Sequence, residues 1–409
     1  MKRTPSSVLS LAALALASCG TPADTLSDGR PVLEDYAAIL HAEYDDARID
    51  ALDLRTSAQP LFASGTSASA AALTGARDAW RDARVTYMQT EAARFYGGPI
   101  ADHSAYTNEW PIDEAQIDYV AGTGGAPSFG GIVNMPSAVP TIDAAALRDA
   151  NLPTGSETVT VGFHAIEFLL WGQDLRADGA GDRLHTDFVD GMQMNADRRR
   201  AYLDVTTQML VGELTAVRDA WAPGASNYRA EFVALEPREG VHRILIGLIR
   251  LLGGEIGDDR ILPAYTDKLQ EDEHSCFSDN TSADLLNDVQ GAVNVYEGQY
   301  TRTDGTVVGS HGLSDLVRAR DAALDARVRA ALQAVLTHLA AWPTTASCPS
   351  ATLQGMCPFD QLFLGVDSDP GRIAMWQVHT ELEDLAALLQ TDVAATLGVT
   401  ITPADLSND

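Results

Sequence analysis

Residues 313–339 read LSDLVRARDAALDARVRAALQAVLTHL, and the rhythm of that run decides the architecture. Leu313, Leu316, Val317, Leu324, Val328, Leu332, Val335 and Leu339 recur in helical register, so they share one stripe of an α-helix. A half-buried strand would instead alternate apolar and polar residues. Moving outward, the helical period returns at Leu285, Val289, Ala292, Val293 and Tyr296, and again at Leu203, Leu210, Leu214, Val217 and Trp221. Further helices are expected over 31–57, 68–96, 160–171, 238–256 and 371–396. Period-two runs are scarce and repeated βα units are absent, which predicts an all-α fold.

Gly, Pro and Ser mark the connections at 122–140, 153–156, 177–182, 303–312 and 343–358. Several are longer than ordinary connections, and long ordered loops tend to carry function. The tetrapeptide Arg-Asp-Ala-Trp occurs at 77–80 and again at 218–221, either an echo of a duplicated bundle or a coincidence in a chain rich in Ala, Asp and Arg. A boundary near Pro223-Gly224 gives the expected organisation: two helical-bundle domains, 28–222 and 223–409, packed around a cleft.

The N-terminus has a different composition. Lys2 and Arg3 precede an apolar run from Val8 to Ala17. That run falls well short of the roughly 20 residues a bilayer span requires, but it suits the core of a secretory signal. It ends in Leu16-Ala17-Ser18-Cys19, a lipobox, so residues 1–19 are expected to act as a lipoprotein signal peptide with Cys19 the lipidated residue. Membrane contact is then expected through the lipid alone, and Gly20 in place of Asp favours the outer membrane.

Fifty-seven acidic residues face 28 basic ones, a net charge of −29, and Lys2 and Lys268 are the only lysines. Such a surface repels phosphate backbones, which excludes a nucleic-acid partner. It attracts cations, weakly and without selectivity. The 45% hydrophobic content is that of a globular chain. Beyond Cys19 the cysteines are Cys276, Cys348 and Cys357. An oxidising envelope permits a disulfide, and the short Pro- and Gly-containing loop between Cys348 and Cys357 favours that pair, with one thiol left over. No paired Cys-x-x-Cys spacing for a zinc cage is present.

Chemistry concentrates in Val161-Gly162-Phe163-His164-Ala165-Ile166-Glu167-Phe168-Leu169-Leu170-Trp171, where His164 and Glu167 are the sole ionisable residues. A helix this apolar is expected to be buried, with the two side chains on one face. A buried carboxylate without a partner costs several kcal/mol by general estimate (~3–5). A metal ion, a basic side chain or the imidazole itself must therefore stand against it. Imidazole with carboxylate suits zinc or iron, and bundle interiors hold metal with this spacing. The run Glu271-Asp272-Glu273-His274 reads either as a metal-capture loop or, more plainly, as a solvated stretch before a helix opened by Thr281 and Asp284.

The wider pattern Gly162-x-His164-x-x-Glu167, continuing to Gly172, resembles the signature of the imelysin family. Glu273 to Thr281, Asn294 to Tyr300, Trp110-Pro111-Ile112-Asp113 with Ile117-Asp118, Gly254-Glu255 with Arg260, and Pro358 to Gln361 are similar to further family segments, in order along the chain. The resemblance implies two helical bundles, an envelope location, expression linked to iron supply, and a metal site at His164 and Glu167 with Glu255 as a further acidic ligand. Asp113, Arg260, Glu273 and His274 are expected to line it.

Three functional readings follow. The favoured one is a cell-envelope lipoprotein that binds iron, zinc or a small metal chelate for iron acquisition, together with iron-uptake partner proteins. The resemblance extends to the periplasmic component of Efe-type iron uptake, which carries a similar His-x-x-Glu. The second is a metallopeptidase, implied by the family's name. The inverted zincin motif His-x-x-Glu-His, however, lacks its second imidazole here, because Phe168 occupies that position. The third is an envelope scaffold or polysaccharide-binding protein in which His164 and Glu167 serve structure alone.

Overall fold

The structure, a computed structural model, describes residues 26–64, 68–122, 126–151, 158–176, 179–342 and 358–407. The expected signal peptide with Cys19, and the expected Cys348–Cys357 bridge, lie outside the described residues. Within them the fold is all-α, as the periodicity predicts. Helix α1 spans Arg30–Phe62, α2 Ala70–Met88, α3 Pro99–Thr107, α4 Phe163–Trp171 and α5 Ala196–Ala220. Next come α6 (Pro237–Ile249), α7 (Thr281–Glu297), α8 (Leu313–Arg320), α9 (Ala322–Ala341) and α10 (Pro370–Leu388). Two two-residue hairpins are the strands among the described residues: Val120–Ala121 with Pro127–Ser128, and Tyr300–Thr301 with Val307–Val308, both antiparallel.

Long α1 packs against α2 and α5, while α7 joins α2 to α9, and α9 packs on α10. Short α4 is wedged between α2 and α5. One continuous hydrophobic core draws on residues from Leu26 to Val399 and so crosses the expected boundary at Pro223. Trp221 illustrates the continuity, its ring packing on Tyr36 of α1 and on Phe232, which follows that boundary. No helix among the described residues is long and apolar enough to cross a membrane.

Two helices depart from the simple periodic reading. The stripe over 313–339 is two helices, because Asp321 leaves the helical region (φ −149°, ψ 94°) and its carboxylate accepts the Ala323 and Leu324 N–H groups. An N-cap of this kind satisfies backbone donors that would otherwise be orphaned, so the break is stable. The apolar positions remain on one side of both halves, which is why the stripe alone does not reveal the break. The second departure follows α6, where the chain continues as a wider π-type helix over Arg250–Ile261. Segments of this type often occur at functional sites.

Candidate metal centre

Helix α4 is the floor of the site. Gly162 begins it at φ 90°, a region L side chains avoid, and a Cβ there would lie 2.7 Å from the Thr107 carbonyl oxygen. The glycine of the motif therefore exists to bring this backbone against the end of α3. All nine residues of α4 are buried. Helix α2 holds it in place: Trp80 Nε1 donates to the Phe163 carbonyl at 3.0 Å, and Arg77 Nη2 donates to the Leu170 carbonyl at 2.9 Å.

His164 Nδ1 and Glu167 Oε2 are 2.9 Å apart, so the two side chains meet on one face of the helix. The second carboxylate oxygen, Oε1, accepts from Ser278 through both its backbone N–H (2.9 Å) and its hydroxyl (2.7 Å). Burial pushes the Glu167 carboxyl up to about 8, against the pull of the Ser278 hydrogen bonds. Burial holds His164 well below the usual imidazole range, and the Arg84 guanidinium adds to the effect. His164 is thus a neutral ring whose Nδ1 is occupied.

A second histidine stands beside it in the same arrangement. The rings of His164 and His274 lie edge to face, 4.7 Å between centroids. His274 Nδ1 is 3.2 Å from Asp284 Oδ2 and 3.4 Å from Arg84 Nη2; the nearer contact assigns it as donor to the carboxylate. Asp284 is itself fixed by Arg84 through two contacts (3.1 and 2.7 Å), by the Ser275 hydroxyl (2.6 Å) and by the Asn280 amide (2.9 Å). Burial depresses His274 as well, helped by Arg260 and His164. In both rings Nε2 is buried and has no hydrogen-bond partner. An orphaned buried acceptor is costly, and two of them side by side ask for a common explanation. An ionised carboxylate behind Nδ1 fixes the tautomer that leaves the Nε2 lone pair free, the usual outer-shell support of a metal-bound histidine, and a cation at Nε2 would in turn draw the proton off Glu167. The donor set therefore fits a transition metal.

His164 and His274 border a cavity of about 380 Å³. Asp113, Glu114, Glu271, Asp272 and Glu273 line it too, with no arginine or lysine among its walls. Trp110 closes one side, its ring 5.2 Å from that of His274. Cys276 also lines it, its thiol pushed well up by burial, which keeps it protonated and unreactive. Roomier grooves of about 490 and 640 Å³ lie along α9 and contain no histidine, so size does not mark the site.

The expected site residues are distributed unevenly. Asp113, His164, Glu273 and His274 share this cavity, with Glu167 behind His164. Glu273 and His274 are 3% and 2% exposed, which corrects the solvated reading for that half of the run, while Glu271 stays exposed. Asp284 is likewise no capping residue: it is fully buried, and the helix is preceded by Asn280. Glu255 lines a neighbouring cavity of about 320 Å³ that shares Trp110 and Pro111 with the first. There both its oxygens are engaged, Oε1 by Arg260 (3.1 and 2.7 Å) and Oε2 by Arg94 (2.8 Å). Burial alone would raise its carboxyl, but the two guanidinium groups outweigh it and hold the group at about 2. Arg260 also binds Asp288 at 2.5 Å. Ser278, Asp284 and Arg84 carry the site without having been expected. Arg84 had a readable signal: it lies among Trp80, Ala83 and Tyr87 on the buried stripe of α2, where a charge demands a partner.

With this geometry established, similarity to known proteins becomes informative. A sequence model of the family described as Imelysin matches residues 40–389. No curated protein matches the chain. Solved structures that share the fold include the following two. One, named as an iron-regulated protein A precursor from Parabacteroides distasonis, superposes with a TM-score of 0.64 at 16% identity, covering 91% of this chain and 96% of its own. The other, an imelysin-like protein from Psychrobacter arcticum, gives a TM-score of 0.58 at 14% identity with the same coverage of each chain.

Proposed function

The chain belongs to the imelysin family, and from that premise we propose that it is a cell-envelope lipoprotein that binds a metal ion for iron acquisition, with His164 and His274 supplying the nitrogen ligands. The observation that carries this reading is the pair of buried, unpartnered Nε2 atoms, each backed by a carboxylate at Nδ1. Iron is the favoured ion, supported by the name of the Parabacteroides relative and by five carboxyl groups around the cavity. Hard oxygen donors with imidazole suit ferrous or ferric iron, and zinc fits the same donors. Two histidines leave coordination positions open, so a small iron chelate could complete the sphere with its own oxygens. Cys19 would tether the protein to the membrane, where iron-uptake partner proteins would receive the metal.

Binding is favoured over hydrolysis by Glu167. A metallopeptidase requires a carboxylate free to take a proton from metal-bound water. Both oxygens of Glu167 are already committed, to His164 and Ser278. Calorimetric titration of the purified protein with ferrous iron, zinc and ferric citrate tests the proposal. One equivalent bound at the histidine cavity by wild type, lost in His164→Ala and in His274→Ala, is the expected result. Unchanged binding in both variants would remove the site. Chelator-sensitive cleavage of an unfolded protein substrate, abolished in Glu167→Gln, would replace the binding reading with the enzymatic one.

A further inference from the structure

We propose that Asp258, His379 and Glu383 form a second metal site, for one divalent cation of the zinc class, that clamps the π-type segment Arg250–Ile261 to α10. One ligand atom from each of the three lies within 4.8 Å of the others, and no other His, Cys, Asp or Glu group of this kind occurs among the described residues. Asp258 comes from the π-type segment, whereas His379 and Glu383 stand one turn apart on α10 and therefore face the same way. None of the three lines the cavity of His164 and His274.

The imidazole is the decisive group. His379 is 9% exposed, and neither ring nitrogen has a hydrogen-bond partner. Its Nε2 lies 3.9 Å from Asp258 Oδ1. That separation is too long for a hydrogen bond and admits an ion held at about 2.0–2.2 Å from each atom. Trp376 stacks on the ring at 5.0 Å with 16° between planes, fixing its orientation. Burial lowers His379 despite the opposing pull of Asp258, which leaves the neutral, ligating form at physiological pH.

The backbone makes room for the acid. A Cβ at Gly257 would lie 3.1 Å from Glu383 Oε1, and one at Gly253 would lie 3.3 Å from the same atom and 3.0 Å from Ala386 Cβ. Without side chains at these positions the Glu383 carboxylate rests against the π-type segment and turns towards His379. Asp258 and Glu383 are both exposed, so the ion enters from solvent and water completes its shell. One imidazole with two carboxylates is a borderline donor set, which selects zinc-like ions over calcium or magnesium. The clamped segment also carries Glu255 and Arg260.

Zinc titrated into the purified full chain tests the proposal, with stoichiometry read by calorimetry and Tm by thermal denaturation. His379→Ala is expected to lose one equivalent of tightly bound zinc and the part of the zinc-dependent rise in Tm that this equivalent contributes. Asp258→Asn, at an exposed position that leaves folding intact, is expected to bind that equivalent about tenfold more weakly or worse. His338→Ala is the control, because His338 pairs with Glu381 at 2.7 Å outside any three-residue group; it should match wild type. A His164→Ala/His274→Ala double variant should keep the equivalent assigned to His379, which separates this site from the cavity. Wild-type stoichiometry in His379→Ala, or wild-type affinity in Asp258→Asn, would overturn the proposal, and Asp258→Asn decides alone if His379→Ala fails to fold.

Discussion

Two buried clusters of charge lie side by side on either side of Trp110 and Pro111, and they are balanced in opposite ways. Around Glu255 the acids meet guanidinium groups: Arg94 binds Glu91 and Glu255, and Arg260 binds Glu255 and Asp288. Glu255 is accordingly held at about 2. In the histidine cavity the acids find no basic wall, and Glu167 behind it rises to about 8 through burial. The difference teaches which buried charges are structural. Where arginines already neutralise the carboxylates, nothing further is required. Where imidazole nitrogens and acids face a cavity without a cation, the balance calls for one from outside.

The sharpest way to break this comparison is to remove a balancing arginine. Arg260→Met leaves buried Asp288 without its guanidinium and Glu255 with Arg94 alone, and deleting one partner of a buried ion pair typically costs about 3–5 kcal/mol. Chemical denaturation should show a loss of that order, whereas His164→Ala should abolish metal binding at the cavity with a smaller loss of stability. Equal destabilisation by the two substitutions would mean that both clusters are structural.

Gly162→Ala comes next. It places a Cβ 2.7 Å from the Thr107 carbonyl oxygen at φ 90°. Backbone strain of this kind is worth about 1–3 kcal/mol. Because the entry to α4 shifts, iron or zinc affinity should fall along with stability. A variant that loses stability while binding metal as wild type does would separate the glycine from the site.

These two positions also show what was legible in the sequence. The helical architecture follows from apolar period alone, because the stripe on each helix must be buried whatever it packs against. His164 and Glu167 were legible because charge stands out in an oily helix. Their partners were not. Ser278 is 111 residues from Glu167, and Arg84 is 200 from Asp284; such pairs are made by helix packing, which local spacing does not encode. The polarity of Glu273 and His274 misled in a further way, since such residues are buried only when a cavity and a network receive them, and both come from other elements. His379 was not legible as a site residue for the same reason, Asp258 lying 121 residues upstream, though Glu383 stands one turn away.

Titration separates the two clusters more gently. Glu167 and Asp279, the buried residue that follows Ser278, are both raised to about 8, in each case first by burial. A carboxyl whose folded value exceeds its unfolded one favours the folded state when protonated. The stability it contributes is complete below the unfolded value near 4 and is lost as pH rises to about 8. Glu255 runs the other way: its contribution is present at neutral pH and lost as pH falls towards 2. Metal-free protein should therefore lose stability between pH 5 and pH 8 in thermal denaturation, and His164→Ala should show the same slope because Asp279 and Glu167 remain. Saturating iron or zinc should flatten that slope in wild type alone. A slope that metal leaves untouched would dissociate Glu167 and Asp279 from the ion.

The smallest effect isolates the support behind the ligand. Ser278→Ala removes one of two donors to Glu167 Oε1 and leaves the backbone N–H at 2.9 Å. A single hydrogen bond of this kind contributes about 1 kcal/mol net, more when the acceptor is charged. Losing it raises the Glu167 carboxyl further, since the serine contacts oppose the effect of burial. A carboxylate that holds its proton longer is a poorer partner for the His164 Nδ1–H, and the Nε2 lone pair is then less often presented to the cavity. The variant should bind iron or zinc several-fold more weakly at pH 7 and recover as pH rises, while its urea midpoint moves only slightly. Unchanged affinity together with an unchanged pH profile would show that Glu167 positions nothing, and the contrast between the two clusters would then rest on the histidines alone.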